Sequence, residues 1–126
     1  MSRGDDSRVL ELAHDTIHLP AGVSLKQIDV ARREGGEFEP AVVQAQPGDV
    51  VRFTARDRGS HAIVFDGAAL DSAARVWLEH TGQLRGPPLI TTGSSWVITL
   101  DGAPAGEYLF RCTTHDAAGR LQVTAR

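Results

Sequence analysis

The chain has 126 residues, of which 41% are hydrophobic, so it can form one domain with a sizeable core that needs no disulfide bridge. Its formal net charge of -3 argues against a nucleic-acid binder. No apolar run approaches the roughly 18 residues of a membrane span. The N-terminus shows no charged segment followed by an apolar stretch, so we expect either a cytoplasmic protein or a mature form of an exported one.

Residues 1–26 are predicted to be a partly ordered N-terminal extension, and residues 27–126 to be the folded domain. The extension carries His14 and His18, which we interpret as exposed histidines. Within the domain, residues 34–37 are predicted to be a turn because they contain two glycines. Short runs that alternate apolar and polar side chains predict strands at residues 27–31, 42–45, 51–55, 61–65, 95–100, 108–111 and 121–125.

One helix is predicted between the fourth and fifth strands. Asp71 or Ser72 can cap its N-terminus, and Gly82 ends it just after His80. Seven to eight short strands with turns between them are typical of an all-β fold, a Greek-key β-sandwich, here with one short helix inserted between strands.

The sequence places a cysteine and a histidine together on one short loop. Cys112 ends a predicted strand, and His115 follows after two threonines. A thiolate and an imidazole held in this way suit a transition metal that accepts soft ligands. The best candidate for a third ligand is His61, which opens the fourth strand. A lone cysteine in a strand is more often a small core residue, but the Cys-x-x-His spacing together with His61 favours metal binding.

These residues resemble those of the cupredoxins, the small blue copper proteins of plastocyanin and halocyanin type. In that family a histidine opens a strand, and far downstream a strand ends in cysteine, with a histidine three positions on and a loop that usually carries an axial methionine. Residues 38–40 and 46–53 are similar to the opening motif of the family, so the resemblance covers roughly residues 28–125. It implies a cupredoxin-like sandwich with one mononuclear copper ion bound by His61, Cys112 and His115.

The resemblance also implies a function. A cupredoxin is an electron carrier and not an enzyme, and it exchanges single electrons with redox partner proteins in transient complexes. His115 would then be the ligand whose edge lies near the surface. We expect a monomer that is exported to the periplasm or the extracellular space.

The axial ligand departs from the family pattern. The only methionine is Met1, and aligning the short loop puts Ala118 where the methionine would fall. Because alanine has no donor atom, the fourth position is expected to be empty or to be filled by water, by the Ser60 carbonyl or by a carboxylate such as Asp116. The resulting copper site should have an altered colour or potential, raised by weak axial ligation and lowered by water or a carboxylate.

A second departure concerns the contact between the histidine strand and the cysteine loop. Ala62 stands where the family usually has a side chain, often asparagine, that links the two. Ser60 or Thr113 can replace this link.

Other functions also stay open at this point. A copper site with an open fourth position would admit water, nitric oxide or another small ligand, as an enzyme or a sensor does. Copper storage or delivery, and a metal-free interaction module, are further alternatives. A site of two histidines and a cysteine can also hold zinc.

Overall fold

The computed structural model describes residues 8–11, 16–19, 22–33, 36–115 and 117–125. Within these ranges the all-β class and the single short helix between strands are confirmed. The elements are β1 (Arg8–Glu11), β2 (Thr16–Leu19), β3 (Leu25–Arg33), β4 (Gly36–Glu39), β5 (Val42–Ala45), β6 (Val50–Ala55), β7 (Ile63–Phe65), α1 (Ser72–His80), β8 (Ser95–Thr99), β9 (Gly106–Cys112) and β10 (Ala117–Val123).

Eight strands form the predicted sandwich of two four-stranded sheets. The first sheet has the order β5-β10-β9-β7 and the second has the order β4-β3-β6-β8. β5 pairs with β10 and β3 pairs with β6 in parallel, and such pairs require connections that cross over. The chain therefore passes repeatedly from one sheet to the other, so that both sheets bring residues to the same end of the sandwich. β1 and β2 form a separate antiparallel hairpin.

Aromatic side chains fill the space between the two sheets. The Phe110 ring of β9 packs edge-on against Phe53 of β6 and Phe38 of β4, with ring centroids 5.1 Å and 4.9 Å away. Burying a side chain of this size stabilises a fold by about 1.5–3 kcal/mol. Along β9 the buried positions alternate, through Tyr108 and Phe110 to Cys112. Cys112 is therefore the last inward-facing residue of a rigid, buried strand.

The helix begins where the sequence predicts. Asp71 is its N-cap, and its Oδ1 accepts a hydrogen bond of 2.9 Å from the Ala74 amide. Ala74 and Leu78 are buried against the sandwich. Gly82 follows the end of the helix with a φ of +71°, a conformation that glycine adopts easily. No helix in the described part of the chain has the length and apolar character needed to cross a bilayer.

The predicted turn at residues 34–37 is wrong for its last two residues, which belong to β4. Phe38 pairs with Val30 of β3 and Gly36 pairs with Arg33, so the register shifts between these two pairs. An irregularity of this kind interrupts the alternation of side chains along a strand. Two residues of β3 lie opposite the single residue Glu37 of β4, and the neighbours Glu37 and Phe38 are both buried, with Glu37 only 4% exposed.

Candidate metal centre

His61 is held in place by the backbone of a neighbouring segment. Its amide donates to the Leu89 carbonyl at 3.0 Å, and the Leu89 amide donates back to the His61 carbonyl at 2.7 Å. β7 begins two residues later, and the His61 ring is fully buried. The ring therefore projects into the protein from a fixed stretch of backbone.

Cys112 and His115 lie on either side of a tight turn between β9 and β10. Cys112 pairs with Ile63 of β7 on one side and with Ala117 of β10 on the other. Its side chain is 1% exposed, whereas that of His115 is 21% exposed. The Cys112 Sγ lies 3.8 Å from His115 Nδ1. One of the two predicted ligands is thus buried and the other reaches the surface.

Two threonines link the turn to the histidine segment. The Thr113 amide donates to the Ala62 carbonyl at 2.8 Å, and the Thr114 hydroxyl donates to the Ser60 carbonyl at 2.8 Å. The same Thr114 hydroxyl lies 3.0 Å from Cys112 Sγ. Of the two residues predicted to replace the asparagine link, Thr113 bonds to the histidine segment through its amide and its hydroxyl, whereas Ser60 takes part through its backbone carbonyl. Thr114 is a further part of the link that the sequence did not reveal.

The structure brings the three predicted ligands together and adds a fourth residue. One ligand atom each from Glu37, His61, Cys112 and His115 lies within 4.8 Å of the other three. The Glu37 Oε2 is 2.5 Å from His61 Nδ1 and 3.1 Å from His115 Nδ1. A single carboxylate oxygen therefore lies against the Nδ1 atoms of both imidazoles.

A second carboxylate orients the buried ring of His61. The His61 Nε2–H donates to Asp57 Oδ1 at 2.7 Å. Asp57 also accepts hydrogen bonds from the amides of Arg32, at 2.8 Å, and Gly59, at 3.0 Å. Burial alone would raise the pKa of Asp57, but the bonds from His61 and the two amides outweigh it and lower the pKa to about 2. Asp57 is thus ionised at neutral pH and fixes the ring so that Nδ1 faces the cluster.

Glu37 is also held in its charged form. Burial raises its pKa, but the hydrogen bonds with Cys112, His115 and His61 together lower it below its usual value. The cluster therefore contains a buried carboxylate that is stabilised by the residues expected to bind metal.

The comparisons with known proteins decide the family. The sequence model of copper binding proteins of the plastocyanin/azurin family matches residues 26–124. This chain belongs to that family. The cupredoxin resemblance of the sequence is thereby confirmed.

Individual relatives agree with the family match. The chain is 36% identical to the chloroplastic plastocyanin of Tetradesmus obliquus over 85 residues, which are 67% of this chain and 54% of the relative. It is 33% identical to the plastocyanin of Prochlorothrix hollandica over 84 residues, again 67% of this chain and 58% of the relative. The chain thus spans little more than half the length of these two plastocyanins.

A solved structure supports the fold. A mutant of amicyanin in its reduced state superposes with a TM-score of 0.62 at 21% identity, covering 95% of this chain and all (100%) of the mutant. At this identity the likeness concerns the β-sandwich alone.

The structure shows where the residues considered for the fourth position lie. Ala118 is exposed and pairs with Arg111, whereas Ala117 is the residue opposite Cys112. Because side chains alternate along a strand, Ala118 cannot take the inward slot assigned to it by alignment. The Ser60 carbonyl, another candidate for this position, accepts a hydrogen bond from the Thr114 hydroxyl. Asp116 lies outside the described residues. The carboxylate that the structure shows in the cluster is that of Glu37.

The other histidines lie elsewhere or outside the description. His80 is in the last turn of α1, as predicted, and is not one of the four clustered residues. His18 lies in β2, and His14 lies outside the described residues.

The donor atoms fit the metal that the family binds. Two imidazole nitrogens and a thiolate sulfur are ligands that suit copper, and they also suit zinc. A carboxylate oxygen is compatible with both in their divalent forms. The His61 ring and the Cys112 side chain are almost completely buried, so they can hold an ion away from bulk water.

Proposed function

We propose that this chain binds one mononuclear copper ion through His61, Cys112 and His115 and carries single electrons between partner proteins. The observation that carries the proposal is the convergence of the three ligand atoms within 4.8 Å of one another. Membership of a copper-binding family supports the identity of the metal. When bound, copper supplies a one-electron redox couple.

The protein contributes a site that keeps its shape while the charge of the ion changes. His61 is fixed by the Leu89 backbone and by Asp57, and Cys112 is fixed between two strands. The turn to His115 is linked to the histidine segment through the two threonines described above. Because these ligands keep their positions, the ion can change its oxidation state without a rearrangement of the site, as an electron carrier requires.

His115 is the place where a partner protein approaches. Its side chain is 21% exposed, whereas the other two ligands are buried. The exposed Ala118 lies three residues further along the chain. A short path from the ion to the surface through the His115 ring suits electron exchange in transient complexes.

The remaining parts of the proposal concern the whole protein. The sequence places the carrier domain at residues 27–126 and an N-terminal extension at residues 1–26; we move the start of the domain to Leu25, because β3 begins there and pairs with β6 from that residue. The domain acts as a monomer with redox partner proteins, without turning over a substrate. Its compartment is an exported one, periplasmic or extracellular, as the resemblance to cupredoxins implies. Glu37 weighs against a function that needs an open fourth position, because its carboxylate already lies between the imidazoles.

Copper titration followed by absorption tests this function. One equivalent of Cu(II) should produce an intense thiolate-to-copper band, and the band should disappear in Cys112→Ser and change strongly in His115→Ala. His80→Ala is the matched control, because it removes an exposed histidine outside the cluster and should leave the band unchanged. A wild-type protein without the band, or a Cys112→Ser protein that keeps it, would overturn the proposal. Metal analysis of protein purified without added metal distinguishes copper from zinc.

A further inference from the structure

We propose that Glu37 is the fourth ligand of the metal and takes over the role of the missing axial methionine. This inference rests on the copper centre proposed above and adds an anionic oxygen donor to it. Three observations support it: the position of the carboxylate, its burial, and the hydrogen-bond partners that it loses once the histidines and the cysteine bind the ion.

The position of Glu37 is built into the sheet. Its carboxylate Oε2 lies within hydrogen-bonding distance of the Nδ1 atoms of both His61 and His115. Glu37 is the single β4 residue opposite the irregularity in β3, and Glu37 and Phe38 are both buried. Irregularities of this kind are often found beside functional sites, where they redirect a side chain.

Burial keeps the carboxylate at the site. Glu37 is 4% exposed and lies in a paired strand, so its carboxylate is almost completely shielded from water. Among the described residues, its ion pairs are with His61 and His115 and with no lysine or arginine. A cation at the cluster would be the natural partner of this charge.

Metal binding would remove the hydrogen bonds that Glu37 has now. An imidazole that binds an ion through Nδ1 uses the lone pair of that atom and cannot donate a hydrogen from it. A cysteine thiolate has no hydrogen to donate. Glu37 would then be a buried carboxylate that has lost these partners, which is strongly unfavourable unless it binds the ion itself.

The charge of Glu37 has a consequence for the redox couple. A carboxylate is a harder and more strongly charged donor than a thioether, and it stabilises Cu(II) more than Cu(I). The structure therefore assigns to this protein a lower reduction potential than it would have with a neutral fourth ligand. It also assigns a closed coordination shell that excludes small exogenous anions.

Three variants test the inference. Glu37→Gln keeps the shape but removes the charge, Glu37→Ala removes the donor, and Glu39→Gln is the matched control because Glu39 lies two residues along the same strand and is exposed. Visible and EPR spectra of the Cu(II) forms and midpoint potentials are measured for all four proteins. Both Glu37 variants should show altered spectra and a raised potential, and the control should match the wild type. Azide should perturb the spectrum of Glu37→Ala but not that of the wild type.

The outcomes separate this inference from the proposed function. Glu37 variants that bind copper with the spectra and potential of the wild type would overturn the fourth ligand while leaving the copper centre intact. An azide effect on the wild-type spectrum as strong as that on Glu37→Ala would also overturn it. If the Glu37 variants do not fold, a strong azide effect on the wild-type spectrum is enough to overturn the inference. A failure of all four proteins to form a thiolate-to-copper band would overturn the proposed function itself.

Discussion

Two carboxylates contact the buried ring of His61 from opposite sides, Glu37 at Nδ1 and Asp57 at Nε2. The pattern that pointed to a metal site in the sequence contained neither of them. It named three residues because the spacing of Cys112 and His115 and the position of His61 at the start of a predicted strand are local features; the strand itself begins two residues later, at Ile63. Glu37 lies 24 residues before His61, and no local rule indicates that its side chain turns inward. Asp57 is close to His61 in the sequence, four residues before it, but a carboxylate in a loop does not by itself indicate a hydrogen bond to a particular histidine.

Asp57→Asn should weaken copper binding roughly ten- to a hundredfold, the effect typical of removing an outer partner of a ligating histidine. Asparagine keeps the shape of the side chain but has no negative charge, so it forms a weaker hydrogen bond with the His61 Nε2–H than the Asp57 carboxylate does. Competition with a chelator of known affinity measures the change. Asp101→Asn, in an exposed turn, is the control. Equal affinities in the three proteins would show that Asp57 does not support the site.

Tyr108 gives a pH prediction that is independent of the metal. Burial, and after it the negative charge of Asp71, raise the pKa of Tyr108 to about 12. A raised pKa means that the folded state holds the proton more tightly than the unfolded state. The stabilisation is therefore fully present below the ordinary tyrosine pKa of about 10 and is lost as the pH rises through about 12.

Because Tyr108 is the only tyrosine of the chain, its ionisation can be followed directly by ultraviolet absorption. We expect a midpoint well above the ordinary value of about 10 in the folded protein and a smaller alkaline loss of stability in Tyr108→Phe. A midpoint at the ordinary value would mean that the hydroxyl, which donates to the Pro104 carbonyl at 2.6 Å, is more accessible than its burial indicates.

At the scale of the elements, alternation of side chains predicted most strands because each strand of the sandwich buries one face. The prediction of β5 was right in both bounds, and Asp71 was among the two predicted caps of α1. β4 was missed because it is short and begins at the second of two glycines, and because its burial pattern does not alternate. An irregular pairing depends on the neighbouring strand, so the pattern of side chains within one segment does not predict it.

Gly119 marks a close contact inside the first sheet. A Cβ at this position would lie 2.5 Å from two ring atoms of Phe110 and 2.9 Å from the Ala41 carbonyl. Gly119→Ala should therefore lower the free energy of unfolding by about 1–3 kcal/mol, as overpacking of a core does. Gly67→Ala is the matched control, since its Cβ would make an ordinary contact of 3.6 Å with Arg75. Chemical denaturation measures both, and equal stabilities would contradict the tight packing of β9 against β10.

At the scale of the whole molecule, the site joins the two sheets. Glu37 comes from β4 in one sheet, Cys112 comes from β9 in the other, and His61 precedes β7. The order of the motifs predicted the sandwich, because chains that share the motifs of a family also share its fold. The detailed set of donors was not predictable in the same way, since it depends on pairing between strands that are distant in the sequence.

X-ray absorption at the copper edge of the loaded protein tests the convergence of these ligands most directly. We expect one copper ion per chain whose nearest neighbours include one sulfur and two imidazole nitrogens, with the sulfur absent in Cys112→Ser. A wild-type spectrum without a sulfur neighbour would show that Cys112 does not meet the two histidines at one ion, and it would contradict the proposed copper centre.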